Sequence, residues 1–251
     1  MNEKSASLEM KQGFGATERK DIWWLEWVLL GSALAVFLSY GMWAALQGKN
    51  YIAGPYRSPF YPFDWHLGKI SPALFIFWIP AFFRMTCYYM RKVYYRSYLT
   101  DPPSCGVRGV RGGYGGETGF PFILLNLHRY VVYLAVLLLI WHWKETLAAF
   151  YYQGKLGIGL GGVLLVLDSI FLTFYIFSCH TIRHMVGGGI NQFSCSFCTR
   201  LRHKAWKTIS RINYRHGFWA WVSLISIIIA DVYIRLLAAG VITDINTWGL
   251  F

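Results

Sequence analysis

The run WVLLGSALAVFLSYGMWAAL, Trp27–Leu46, contains no charged residue. At 1.5 Å rise per residue, a helix of about twenty residues crosses the ~30 Å hydrocarbon layer of a bilayer, so this run predicts a membrane span. A second run, LGIGLGGVLLVLDSIFLTFYIF, Leu156–Phe177, breaks its apolar character only at Asp168. Working outward from these two, three more windows qualify, giving predicted spans at about 25–47, 71–94, 120–143, 157–179 and 214–239. The added windows carry Arg84, His128, Arg129, Asp231 and Arg235 and are therefore amphipathic. The expected fold is an all-α integral membrane protein, a bundle of five transmembrane helices forming one domain over residues 1–251.

Composition agrees, since the 251 residues are 55% hydrophobic and only 14% charged, a balance poor for a soluble core. The first residues, MNEKSASLEMKQGFGATERKD, lack a short apolar segment followed by a cleavage site, so no removable signal peptide is expected. The net charge of +12 is a topology signal in such a chain, and a nucleic-acid partner is not expected. Lys and Arg number four before the first span, five in 91–119 and seven in 180–215, against three in 48–70 and two in 144–155. The positive-inside rule then puts the N-terminus of this multi-pass chain in the cytoplasm. The Gly- and Pro-rich 95–119 segment and the 180–215 segment read as loops.

That orientation gathers Arg84, His128, Arg129, His180, His184 and His216 at the cytoplasmic half of the bundle. Ionisable side chains at membrane depth are costly and mark candidate functional sites. His66 and His142 stand beside tryptophans and are expected at the outer interface, Asp231 and Arg235 are spaced to pair on one helix face, and Asp168 has no obvious partner.

The interval SCHTIRHMVGGGINQFSCSFC, Ser178–Cys198, brings soft ligands to the same end. His180 and His184 are four apart and share a helix face, three glycines follow, and Cys195 and Cys198 form a CxxC pair. Two His and two Cys suit either a tetrahedral zinc or a Rieske-type 2Fe-2S cluster, and spacing does not separate the two. Cys179 and His203 are spare candidates for one place. Haem b would need facing histidines, for which His128 and His216 are available. The five cysteines form no disulfide framework.

Three motifs carry a resemblance: HRY at His128–Tyr130, SCHTIRHMVGGG from Ser178, and YRHGFWAWVSL at Tyr214–Leu224. The chain resembles the five-span, cytochrome b-like membrane anchor of succinate dehydrogenase or fumarate reductase, respiratory complex II. It is most similar to the actinobacterial type that lacks haem and carries a membrane-embedded Rieske-type cluster. The resemblance implies flavoprotein and iron–sulfur partner subunits on the cytoplasmic face, lipid around the spans, and electron delivery to menaquinone or ubiquinone. On this reading His180, His184, Cys195 and Cys198 hold the cluster, and Arg84, His128, Arg129, Tyr130 and Trp219 line the quinone site. No residue for succinate chemistry is expected in this chain.

Overall fold

The computed structural model describes residues 13–61, 71–110, 117–120 and 122–248. It is helical apart from two small hairpins. The elements are α1 (Leu25–Gln47), β1 (Ile52–Ala53), β2 (Tyr56–Arg57), α2 (Ala73–Thr86), α3 (Tyr88–Tyr94) with a π-helical turn at Tyr95–Leu99, and a 3₁₀ segment (Phe122–Leu127) running into α4 (His128–Ala148). Then come β3 (Tyr151–Tyr152), β4 (Lys155–Leu156), α5 (Leu160–Phe177), α6 (His180–Gly187), α7 (Phe197–Asn213) and α8 (His216–Ala238). Each hairpin is antiparallel. Among the described residues, four helical segments are long and apolar enough to cross a membrane, Leu25–Gln47, Phe122–Ala148, Leu160–Phe177 and His216–Ala238; α2 with α3 makes a fifth if counted as one broken span.

The five expected windows are therefore helical, with two corrections. The second is interrupted at Cys87, whose backbone is extended (φ −65°, ψ 131°), so α2 ends at Thr86 instead of continuing to 94. The segment 180–215 is not a loop but two helices, α6 and α7. Cys179 separates α6 from α5 with nearly the same extended conformation (φ −61°, ψ 139°). That second break is chemically satisfied: the amide of Asn213 donates to the Ser178 carbonyl (2.6 Å), which has lost its helical donor.

Residue contacts divide the chain into two compact units, 1–39 with 85–126, and 40–84 with 127–251. In the first, Gly31 lets α1 approach the π-helical turn. A Cβ at that position would lie 2.7 Å from Ser97 Cβ, and Ser97 Oγ donates to the Trp27 carbonyl (2.6 Å). Arg96 covers the Trp27 ring (4.6 Å), and Arg91 pairs with Glu117.

In the second unit α5 packs between α4 and α8. Leu165, Ala230 and Ile234 are buried there with Ala149 and Tyr56. Gly159 and Gly161 admit the Tyr56 ring; a Cβ on Gly159 would fall 1.9 Å from its hydroxyl. Tyr56 and Tyr233 both donate to Asp244 at 2.6 Å, closing this end of the bundle.

Polarity runs opposite to that of a soluble core. Large apolar side chains face outward, including Val28, Val36, Leu137, Ile140, Ile225 and Ile229, while Asp168, Ser169, Thr146 and Asp231 are fully buried. Hydrocarbon solvates the first group and cannot solvate the second, so polar groups pair inside the bundle. The expected Asp231–Arg235 pair is present, with Arg235 Nε 2.7 Å from Asp231 Oδ2. His142 faces into the bundle: its Nε2 lies 3.1 Å from Asp168 Oδ2, giving Asp168 the partner that sequence spacing did not reveal. His66 lies outside the described residues.

Candidate functional site

At the end of the second unit where α4 and α8 begin and α5 stops, an aromatic stack carries polar groups. The His128 ring, at the first residue of α4, lies flat on Phe83 of α2 (centroids 4.6 Å, 10° between planes). Phe83 meets Tyr175 of α5 edge-on (5.6 Å), and Tyr175 stacks on His216, the first residue of α8 (5.2 Å, 16°). Arg84 places its guanidinium over the Tyr175 ring at 4.4 Å. Its Nη1 donates to the Ala220 carbonyl and its Nη2 to Ser223 Oγ, both at 3.1 Å. A cation at 9% exposure is thus held by two α8 acceptors and an aromatic face, which offsets its removal from water.

The sequence orders this arrangement locally. The break at Cys179 turns Ser178 and Cys179 toward the two histidines. Ser178 Oγ is 2.6 Å from His216 Nδ1, and Cys179 Sγ is 3.1 Å from His128 Nε2. Cys179 and His216 are buried and His128 is half-buried. On α8, His216, Ala220 and Ser223 recur at helical spacing, so one face supplies the partners of both Ser178 and Arg84. Trp219 stacks on Phe174 (4.6 Å, 20°), and its indole Nε1 is buried with no hydrogen-bond acceptor among the described residues. A buried donor left unmade costs about 1–3 kcal/mol, which marks a place where a ligand acceptor is wanted.

The residues expected to line a quinone site are distributed unevenly. Arg84 and His128 belong to this cluster, and Trp219 is on α8 one turn from His216. Arg129 and Tyr130 follow His128 on α4 but are exposed, Tyr130 at 62%. The residues that spacing alone did not single out are Ser178, Tyr175 and Ser223, which act across helices, and Cys179, ranked only as a spare ligand.

The four expected metal ligands are all exposed, the two histidines on one helix and the two cysteines at the head of the next. His180 and His184 are on α6. The CxxC pair is absorbed into a helix start: Ser196 and Thr199 form a reciprocal capping box at the head of α7, which puts Cys198 in its first turn. Cys195 Sγ contacts the Gln192 carbonyl and Thr199 Oγ1, both at 3.6 Å. Arg202 on α7 binds the Val186 and Gly188 carbonyls (2.9 and 2.8 Å), capping the C-terminus of α6. Among the described residues, no group of three or more His, Cys, Asp or Glu side chains is placed to hold a metal ion.

Comparison with known proteins gives a consistent answer. The family model described as actinobacterial succinate dehydrogenase subunit SdhC matches residues 25–240. A chain in the structure of the Mycobacterium smegmatis Sdh1 complex in the apo form is 36% identical, with a TM-score of 0.83 over 91% of this chain and 92% of that one. No curated protein matches significantly.

Proposed function

We propose that this chain, which belongs to the actinobacterial succinate dehydrogenase SdhC family and is a membrane-anchor subunit of that complex, delivers electrons to a membrane quinone beside Arg84, His128 and Trp219. The observation that carries the quinone assignment is the buried Trp219 indole N–H without an acceptor. A quinone offers carbonyl oxygens for such a donor, and the neighbouring aromatic side chains suit its ring. Electrons come from succinate through flavoprotein and iron–sulfur partner subunits on the cytoplasmic face. The strongly basic Arg200, Arg202, Lys204, Lys207 and Arg211 of α7, at the same end as the site, support that docking side.

The test is succinate:quinone reductase activity of the assembled complex, read beside succinate oxidation with a soluble dye that bypasses the anchor. Trp219→Phe keeps the stacking ring and removes the N–H. Loss of one hydrogen bond worth about 1.4 kcal/mol is a tenfold effect. Quinone reduction is expected to fall about tenfold with dye reduction unchanged; an unchanged quinone rate removes Trp219 from the site.

For the Rieske-type centre, the exposed His180, His184, Cys195 and Cys198 form no group of three or more converging ligands among the described residues. The mixed nitrogen and sulfur donors that do meet are His128 and Cys179, two of the four ligands such a centre takes. We therefore move the expected ligands inward, to Cys179 and His128. A centre of this kind would supply a one-electron relay between the partner subunit and the quinone. Electron paramagnetic resonance of the reduced complex, with iron and sulfide analysis, separates the two assignments. The low-average-g signal should vanish in Cys179→Ser and persist in the Cys195→Ser/Cys198→Ser double variant. The reverse pattern restores the exposed set, and an intense Soret band would replace the centre by haem b.

A further inference from the structure

Away from the aromatic stack, one ionisable pair sits in the interior of the bundle and takes no part in the reading above. Asp168, midway along α5, has no exposed surface. Its Oδ1 accepts from Ser226 of α8 (2.6 Å), and its Oδ2 lies 3.1 Å from His142 Nε2 of α4. That approach is close enough for an ion pair yet misdirected for a hydrogen bond, so both His142 Nε2 and Asp168 Oδ2 are without a hydrogen-bond partner among the described residues.

The permanent charges beside the pair are engaged with other groups. On α4, Trp143 is bonded to Thr173 (2.9 Å) and Thr146 to Ser169 (2.8 Å), while Glu145 pairs with Arg57 (3.3 Å) and Lys144 (3.7 Å). On α8 the nearest charges are Asp231 and Arg235, which pair with each other. No Lys or Arg among the described residues forms an ion pair with Asp168. A carboxylate sealed from water without a fixed cation is stabilised only by taking up a proton, either on itself or on the facing imidazole. The pair is thus built to bind one proton.

We propose that Asp168 and His142 form a proton-loading site for quinone reduction, a role that rests on the quinone assignment above. Reduction of a quinone to a quinol takes two electrons and two protons. The electrons are those of succinate, and the site supplies one of the protons: the N–H or O–H bond of the loaded pair breaks and an O–H bond forms on one quinone oxygen, while water at the quinone end supplies the second proton. The pair is left with one net negative charge and reloads through His142, whose side chain is 13% exposed. On α8, Ser226 and, one turn nearer the quinone end, Ser223 mark the route, with water carrying the proton between their hydroxyls. Ser226 bonds Asp168 and also reaches the Ser223 carbonyl (3.3 Å), and Ser223 Oγ accepts from Arg84.

The pair touches no quinone, so its removal should change turnover and its pH dependence but not quinone KM. Complete complex in lipid vesicles is assayed for quinone reduction across pH, with dye reduction as control, and by redox-difference infrared spectroscopy. In the wild type the rate should fall as pH rises. Asp168→Asn and His142→Gln should each flatten that limb, lower kcat about tenfold, leave KM and dye reduction unchanged, and abolish a carboxyl or imidazole band that appears with quinone reduction. Asp168→Glu should keep the limb. If Asp168→Asn fails to assemble, His142→Gln alone decides. Wild-type pH profiles and spectra in the variants, or a raised KM with kcat intact, overturn the proton role while leaving the quinone assignment standing. A wild-type complex that reduces dye but not quinone overturns both.

Discussion

Replacing Arg84 by Met is expected to lower quinone reduction by the complex about a hundredfold while its dye activity and thermal stability stay near wild type. Met approximates the aliphatic part of Arg and fills the slot between Tyr175 and α8. It supplies neither the donors now given to Ala220 and Ser223 nor a positive charge. Stability should survive, because exchanging a buried charge for a well-packed apolar side chain is often neutral or favourable. The rate should not survive, because negative charge develops on the quinone oxygens as electrons arrive. One preorganised donor at such a site is worth about 10²–10³ in kcat. Arg84→Lys keeps a charge but not the fork that holds two acceptors on α8, so it should fall between the two. A quinone rate within about threefold of wild type for Arg84→Met, which is under 1 kcal/mol of barrier, would exclude Arg84 from the electrostatics of the reaction.

Membrane spans were the most legible part of this chain, because hydrocarbon imposes one requirement on every residue of a window and composition alone reports it. The breaks at Cys87 and Cys179 were not legible, since both sit inside apolar or ligand-like runs with no glycine or proline at the break. What holds the second one open is Asn213, 35 residues from the Ser178 carbonyl that it satisfies. The head of α7 carries two signals at once. SCSFCT contains both a CxxC pair and a Ser–Thr capping box, and the capping box fixes the backbone. Contacts between helices explain the remaining difference. Arg84 and His128 could be placed at one end by topology, but that His128 meets Cys179, and that His142 meets Asp168, depends on how α4 rotates against α5, which no spacing within one helix records.

The same inter-helix logic makes Asp231→Ala the substitution with the largest expected effect on assembly. Asp231 is fully buried and is surrounded by groups from three elements. Tyr40 of α1 and Ser58, just after β2, both donate to it, and Arg235 of α8 pairs with it at 2.7 Å. Arg235 in turn donates to the carbonyls of Ala44 and Lys49, both at 3.1 Å, so the guanidinium caps the C-terminal end of α1. Removing the carboxylate leaves a 7%-exposed guanidinium without its counter-charge and two hydroxyls without an acceptor. Breaking one side of a buried pair costs about 3–5 kcal/mol, a large share of the ~5–15 kcal/mol that holds a typical fold together. Asp231→Ala should therefore yield little assembled complex in membranes and a sharply lower thermal midpoint in detergent. The Asp231→Leu/Arg235→Met double variant removes both charges at once and should recover much of the yield, because only the capping and hydroxyl contacts remain lost. If the double variant were no better than Asp231→Ala alone, the cost would lie in those lost contacts and not in the stranded charge.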